Sequence, residues 1–205
     1  MQPYRIAVFA SGSGSNFQAI VDCVQSKELD VSIELLVCDR PDALVVGRAI
    51  QANVPVFTFR PKEYASREAY EALILKELSD RKVDLIVMAG YMRIITNVLV
   101  EPFYGRMINI HPSLLPSFPG TKAITQAYEY GVKLTGVTVH FVDGGLDSGP
   151  IVAQRSIEIG EGESEAALTQ RIHAIEHGLL PQVIDWLRAG RVSLEGRRVT
   201  VKEVE

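Results

Sequence analysis

Only two cysteines, Cys23 and Cys38, occur in 205 residues, and neither belongs to a CxxC pair or a Cys/His cluster. That leaves no basis for a disulfide framework or a zinc site, so buried reduced thiols and no metal are expected. Basic residues are not in excess either: 21 Lys and Arg against 25 Asp and Glu leave a formal charge of −4. Binding nucleic acid by neutralising phosphates normally leaves a Lys/Arg-rich face, so no nucleic-acid partner is expected, at most a local pocket for one phosphate. Long apolar runs are missing as well. The first apolar stretch, Ile6 to Ala10, stops at Ser11. It is too short for a signal peptide and well below the ~20 residues of a membrane span. The expectation is a cytoplasmic protein with no membrane partner. Internal repeats, low-complexity segments and linkers are also absent from the sequence.

What is present is ordinary globular composition, with 47% apolar and 22% charged residues in a chain long enough for one sizeable core. Short β-branched runs alternate with helical patterns. Strands are expected at 5–10, 32–38, 56–59 and 83–89, with helices at 16–26, 42–52 and 66–81 between them. Ser66 is placed to cap the third helix, whose apolar stripe reads Tyr70, Leu73, Ile74 and Leu78. The fourth strand is nearly all apolar and therefore expected to be central. After Ala89 the rhythm changes. A short strand at 107–110 enters a Pro-rich loop from His111 to Gly120, and a helix is expected over 121–130. Strands follow at 135–142 and 151–157, perhaps antiparallel, then a long helix at 164–187 with a kink or break at Pro181. A hairpin is expected at 192–201. The fold class is α/β: one Rossmann-like domain, its mostly parallel sheet flanked by helices, with an antiparallel portion in the C-terminal half. Within it, residues 1–90 read as a phosphate-binding half, 91–190 as a catalytic half and 191–205 as the terminal hairpin.

Three segments carry chemistry. Ser11-Gly-Ser-Gly-Ser-Asn16 follows strand one and opens a helix, where free N–H groups and the helix dipole favour an anion. It resembles a dinucleotide fingerprint, but Phe17 stands where the third glycine belongs; Asp39, ending strand two, is the one feature on the nicotinamide side. The competing reading is a plain tight turn. The second segment is Ile108-Asn-Ile-His-Pro-Ser-Leu-Leu-Pro-Ser-Phe-Pro-Gly120. Asn109 and His111, two apart on an extended chain, leave the same face. An amide donor and an imidazole there suit a carbonyl under attack: both stabilise an oxyanion, and the imidazole also shuttles protons. A lone histidine is more often structural, but the neighbouring Asn109 and three prolines shift the balance. In the third segment, Gly136 to Ile151, a strand enters a glycine-rich loop bearing Asp143 and Asp147, and a carboxylate near His111 would hold that ring protonated. The competing reading is an ordinary Asp/Gly turn.

Asn-Ile-His-Pro-Ser-Leu-Leu-Pro, with Leu-Asp-Ser-Gly-Pro-Ile downstream, resembles the folate-dependent phosphoribosylglycinamide formyltransferases of purine synthesis, and the likeness runs from strand one to at least Leu187. The resemblance implies a catalytic triad of Asn109, His111 and Asp147. It implies that Gly14, Ser15 and Asn16 grip the ribonucleotide phosphate, and that His173, Ala174, Ile175 and Glu176 complete that site, with Glu176 on the ribose hydroxyls. It implies a folate site along Arg67, Tyr91, Met92, Arg93, Ile94, Ile95 and Asn109 and through Phe141, Val142, Asp143, Gly144, Gly145 and Asp147. Arg67 and Arg93 would meet carboxylates of the carrier. Read without the family, Arg67 is a surface arginine, Met92 and Ile94 are core, His173 and Glu176 are a solvated pair, and His140 and His177 have no assignment.

The activity so implied is transfer of the formyl group of 10-formyltetrahydrofolate to the amine of N1-(5-phospho-D-ribosyl)glycinamide, directly and through a tetrahedral intermediate. The partners implied are small-molecule substrates, for a monomer or homodimer. Three rivals stay in view. A formyltetrahydrofolate deformylase-like hydrolase would carry an N-terminal regulatory domain, for which residues before strand one leave no room. A methionyl-tRNA formyltransferase would carry an extra C-terminal domain. A non-catalytic phosphate sensor would have no use for the triad. Gly144 and Gly145 lead us to expect a loop that stays mobile until folate binds.

Overall fold

The computed structural model describes residues 3–203, in two compact units, Met1–Ile108 and Asn109–Glu205. The first alternates strands and helices: β1 (Tyr4–Phe9), α1 (Ser15–Gln25), β2 (Val31–Cys38), α2 (Leu44–Gln51), β3 (Val56–Thr58), a 3-10 turn (Pro61–Glu63), α3 (Arg67–Asp80), β4 (Leu85–Met88), the short α4 (Asn97–Val100), and the start of β5 (Met107–His111). β1 pairs in parallel with both β2 and β4, and β2 with β3. Ile6 to Phe9 and Leu85 to Met88 are buried without alternation, as befits parallel strands covered on both faces. Because β1 is shared by β2 and β4, strand order reverses there. The turn after β1 meets the segment after β4, Ser11 N–H donating to the Gly90 carbonyl at 3.1 Å. Carboxyl ends of strands at such a reversal are where ligands of α/β sheets collect.

The second unit holds α5 (Ala123–Tyr130), β6 (Leu134–Phe141), β7 (Ile151–Glu158), α6 (Glu165–Arg188) and the hairpin β8 (Val192–Glu195) and β9 (Arg198–Val201). Both strand pairs are antiparallel. The sheet order is β3-β2-β1-β4-β5-β6-β7, seven strands, mostly parallel and flanked by helices, with β8-β9 a sheet of its own. Among the described residues, no helix is long and apolar enough to cross a membrane.

The expected cap forms, Ser66 Oγ accepting from Ala69 N–H at 3.2 Å, and α6 is capped in the same way, Ser164 Oγ accepting from Ala167 N–H at 3.2 Å. Two expectations need correction. On α3, Leu73 is 45% exposed, whereas Glu71 is fully buried beside Tyr70. The carboxylate goes inside because it receives Thr96 N–H on both oxygens at 3.1 Å and the Thr96 hydroxyl at 2.5 Å. A buried carboxylate persists only with such donors. On α6, Pro181 does not break the helix, which is assigned without interruption from Glu165 to Arg188. Pro181 is buried in a face with Leu179, Leu180, Val183 and Ile184. Burial of that face outweighs the single backbone hydrogen bond that proline removes.

Candidate active site

β5 is extended at its end, so Asn109 and His111 leave the same side, as their spacing requires. Both reach Asp147. His111 Nδ1 lies 3.5 Å from Oδ2, and Asn109 Nδ2 donates to Oδ1 at 3.4 Å. The other nitrogen of His111, Nε2, donates to the Phe118 carbonyl at 2.9 Å. Both ring nitrogens thus face acceptors, and an N–H on each is what those partners can receive.

The Pro-rich loop that supplies these partners is tied down from below. Thr138 Oγ1 on β6 donates to the Ser113 carbonyl at 2.7 Å and accepts Leu115 N–H at 3.1 Å. Ser113 Oγ donates to the Ser117 carbonyl at 2.6 Å. Held in this way, the loop presents the Phe118 carbonyl to His111 and the Gly120 amide to Asp147 Oδ2, 2.7 Å away. Asp147 takes a left-handed backbone with φ 48°, a conformation aspartate tolerates better than most residues. Burial alone would raise its carboxyl. The His140 ring, the Gly120 amide and the charge of His111 outweigh burial and hold it below the usual aspartate value.

His140, unassigned from the sequence, joins the same cluster. Its Nε2 lies 3.2 Å from Asn109 Nδ2 and 3.7 Å from Asp147 Oδ1, and its Nδ1 is 2.7 Å from the Phe141 carbonyl oxygen. Gly149 makes this possible, since a Cβ there would lie 1.7 Å from that same carbonyl oxygen. The signal was present: Thr138 and His140 are polar at a period of two on a strand running straight into the Asp143–Asp147 loop. Past Phe141, which is buried, and half-buried Val142, Asp143 folds the loop by accepting Gly145 N–H at 3.0 Å and Ser148 Oγ–H at 2.7 Å; Gly144 and Gly145 are exposed.

Further along this unit, His173 Nδ1 bonds Glu176 Oε2 at 2.8 Å across one turn of α6. Glu176 is buried and only His173 reaches solvent, so the pair is not the solvated one its spacing alone would give. The Glu176 hydrogen bond outweighs partial burial and raises the His173 imidazole above its ordinary value. Ala174 is exposed and Ile175 half-buried.

In the first unit, Gly14 has φ 73°, and a Cβ there would meet Val45 Cγ2 at 2.4 Å, so only glycine closes this turn. α1 begins at Ser15 with no side-chain cap and no acidic residue in its first turn. Arg48, which the sequence reading did not select, braces the turn by donating Nε–H to the Ser13 carbonyl at 2.9 Å. Asp39 is buried, and neither of its oxygens is open for a ribose: Oδ1 accepts the Ser11 hydroxyl at 2.5 Å and Oδ2 accepts Arg93 Nε–H at 2.7 Å. This removes the one feature on the nicotinamide side. Ser11 Oγ in turn accepts Met92 N–H at 2.8 Å. Met92 and Ile94 are 57% and 52% exposed, not core, while Tyr91 and Ile95 are buried. Arg67 is exposed at the first position of α3. Among the described residues, no group of three or more His, Cys, Asp or Glu is placed to hold a metal.

A family model described as formyl transferase matches residues 4–184, nearly all of the first unit and most of the second. The chain belongs to the formyl transferase family. It is 50% identical over 183 residues to the phosphoribosylglycinamide formyltransferase of Bacillus subtilis (strain 168), covering 89% of this chain and 94% of that protein. Against the phosphoribosylglycinamide formyltransferase of Escherichia coli (strain K12), identity is 38% over 190 residues, 93% of this chain and 90% of the other. The crystal structure of glycinamide ribonucleotide transformylase 1 from Symbiobacterium toebii matches with a TM-score of 0.94 at 42% identity, over 98% of this chain and 95% of that one. A formyltetrahydrofolate deformylase from Pseudomonas syringae shares the fold at 26% identity and a TM-score of 0.90, with 98% of this chain but only 67% of that chain covered.

For a formyl transferase, the cluster in the second unit has a clear chemical capacity. A carboxylate held ionised, two imidazoles and an amide are packed where charge can be stabilised and protons passed.

Proposed function

We propose that this formyl transferase moves the formyl group of 10-formyltetrahydrofolate to the amine of N1-(5-phospho-D-ribosyl)glycinamide in purine biosynthesis. The observation that carries the reading is the convergence of Asn109 and His111 on Asp147, in a chain half-identical to a phosphoribosylglycinamide formyltransferase. The reading puts the enzyme in the cytoplasm, acting on small molecules as a monomer or homodimer, with phosphate binding in residues 1–90 and carrier binding and chemistry in 91–190.

Gly14, Ser15 and Asn16 offer the ribonucleotide phosphate the uncapped start of α1, an arrangement favourable to anions. Buried Glu176 and its neighbours His173, Ala174 and Ile175 complete that substrate's site, with the Glu176 carboxylate accepting from ribose hydroxyls. The carrier lies along Arg67, Met92, Arg93, Ile94 and Ile95, with the exposed side chains of Met92 and Ile94 covering its ring, and along the loop Phe141, Val142, Asp143, Gly144, Gly145 and Asp147. The amine nitrogen bonds to the formyl carbon, the bond from that carbon to the carrier nitrogen breaks, and the proton lost by the amine ends on the carrier nitrogen. Asn109 and His111 stabilise the oxyanion of the tetrahedral intermediate. Asp147 supports the charge on His111 and orients the water that relays the proton. Holding the two reactants in contact contributes ~7–11 kcal/mol of barrier lowering, and each oxyanion donor ~2.7–4 kcal/mol.

Incubation with 10-formyltetrahydrofolate, with and without the ribonucleotide, tests the proposal. Formylated ribonucleotide formed only when both are present is the expected result. Formate released without the ribonucleotide would make the chain a hydrolase instead, and binding of both substrates without product would make it a sensor.

A further inference from the structure

We propose that Asp39 is a positioning residue that sets the carrier-binding segment after β4. The inference rests on the reading of Met92, Arg93, Ile94 and Ile95 as carrier-binding. Asp39 directly follows β2, 54 positions from Arg93, and its side chain has no solvent exposure. It acts twice on the segment. Directly, its Oδ2 takes Arg93 Nε–H at 2.7 Å and so fixes how that guanidinium leaves the chain. Indirectly, its Oδ1 takes the Ser11 hydroxyl proton at 2.5 Å. A hydroxyl has one proton and two lone pairs, so directing its proton at Asp39 aims a lone pair at Met92 N–H, 2.8 Å away. Glu71 pins the far end of the same segment at Thr96. Between these anchors Met92 and Ile94 stand out into solvent, an arrangement an unsupported loop would not keep. Ser11, Asp39 and Arg93 also line one open cavity of ≈ 690 Å³, so the support lies beside accessible space rather than deep in the core.

Asp39→Asn keeps the volume but replaces one acceptor oxygen with an NH2, leaving a donor facing either Arg93 Nε–H or the Ser11 hydroxyl. Ser11→Ala removes the relay to Met92 while keeping the Asp39–Arg93 pair. The test has two readouts. Amide exchange reports on the segment itself, and Met92 N–H should exchange at least about ten-fold faster in either variant, for loss of a hydrogen bond to a charged network. Titration with tetrahydrofolate and steady-state kinetics report on function: Kd and KM for the carrier should rise about ten-fold in Asp39→Asn, with kcat and the ribonucleotide KM within about two-fold. Unchanged Met92 exchange in folded variants would overturn the positioning role. So would an equal loss on both substrates and kcat, which would make Asp39 a general structural residue. Faster exchange with no change in tetrahydrofolate affinity would overturn the carrier link, and if the wild type bound no folate, the reading of the segment would fall with it. Should Asp39→Asn not fold, Ser11→Ala alone decides by the same two measurements.

Discussion

His111 Nδ1 stands 3.5 Å from Asp147 Oδ2, while the opposite edge of the same ring donates to the Phe118 carbonyl. The imidazole is therefore held between a carboxylate and a carbonyl, with a hydrogen-bond acceptor on each side. Asp147→Asn preserves the shape of the site and the capacity to accept the Gly120 amide, but removes the charge. Turnover should fall by about 10²-fold or more, while KM for each substrate changes little. Steady-state kinetics on the purified variant check this.

Asn109→Ala deletes the amide that bridges His140 and Asp147. The expected loss in kcat is about 10²–10³-fold, as for removal of one oxyanion donor. His140→Ala removes the ring that orients Asn109 and flanks Asp147 without touching His111. It should lower kcat by a smaller factor, about ten-fold or more, of the size seen when supporting partners of site residues are removed. Equal losses in the two variants would mean that His140 acts on the substrate itself.

The His173–Glu176 pair gives a pH dependence with a definite sign. The folded-state value of His173 is raised, so the pair's contribution to stability is fully present below the unfolded value near ~6.5 and is lost as pH rises through the folded value. Glu176→Gln should therefore lower Tm more at pH 6 than at pH 9, and NMR titration of His173 should move downward. Asp147 runs the other way. Its depressed carboxyl contributes above the unfolded value of ~3.9 and loses that contribution as pH falls through the folded value.

Gly14→Ala combines a positive φ with a Cβ driven into Val45. We expect about 1–3 kcal/mol of lost stability from overpacking, together with a raised KM for the ribonucleotide and little change for the carrier. Denaturant unfolding and substrate-specific kinetics separate the two effects.

The parts of this protein legible in its sequence are those set by local pattern. β1 and β4 are continuous apolar runs because both faces are covered, and Asn109 and His111 share a side because a strand has a period of two. What escaped depends on partners far away in the chain. Glu71 lies outside the apolar stripe of its helix, and its burial depends on donors from Thr96, 25 positions on. Asp39 reads as a ribose ligand until Ser11 and Arg93 occupy it. His140 reads as strand packing until Asn109 and Asp147 arrive from two other segments. Pro181 reads as a kink or break because the apolar face that offsets its missing hydrogen bond, and so keeps the helix whole, is not visible locally.

The most direct test follows a labelled formyl group from 10-formyltetrahydrofolate in the wild type and in His111→Ala. In the wild type the label should appear on the ribonucleotide amine only when both substrates are present, and the rate should drop about 10²-fold or more in the variant. Label transferred at near wild-type speed by His111→Ala would contradict the assignment of the chemistry to this cluster.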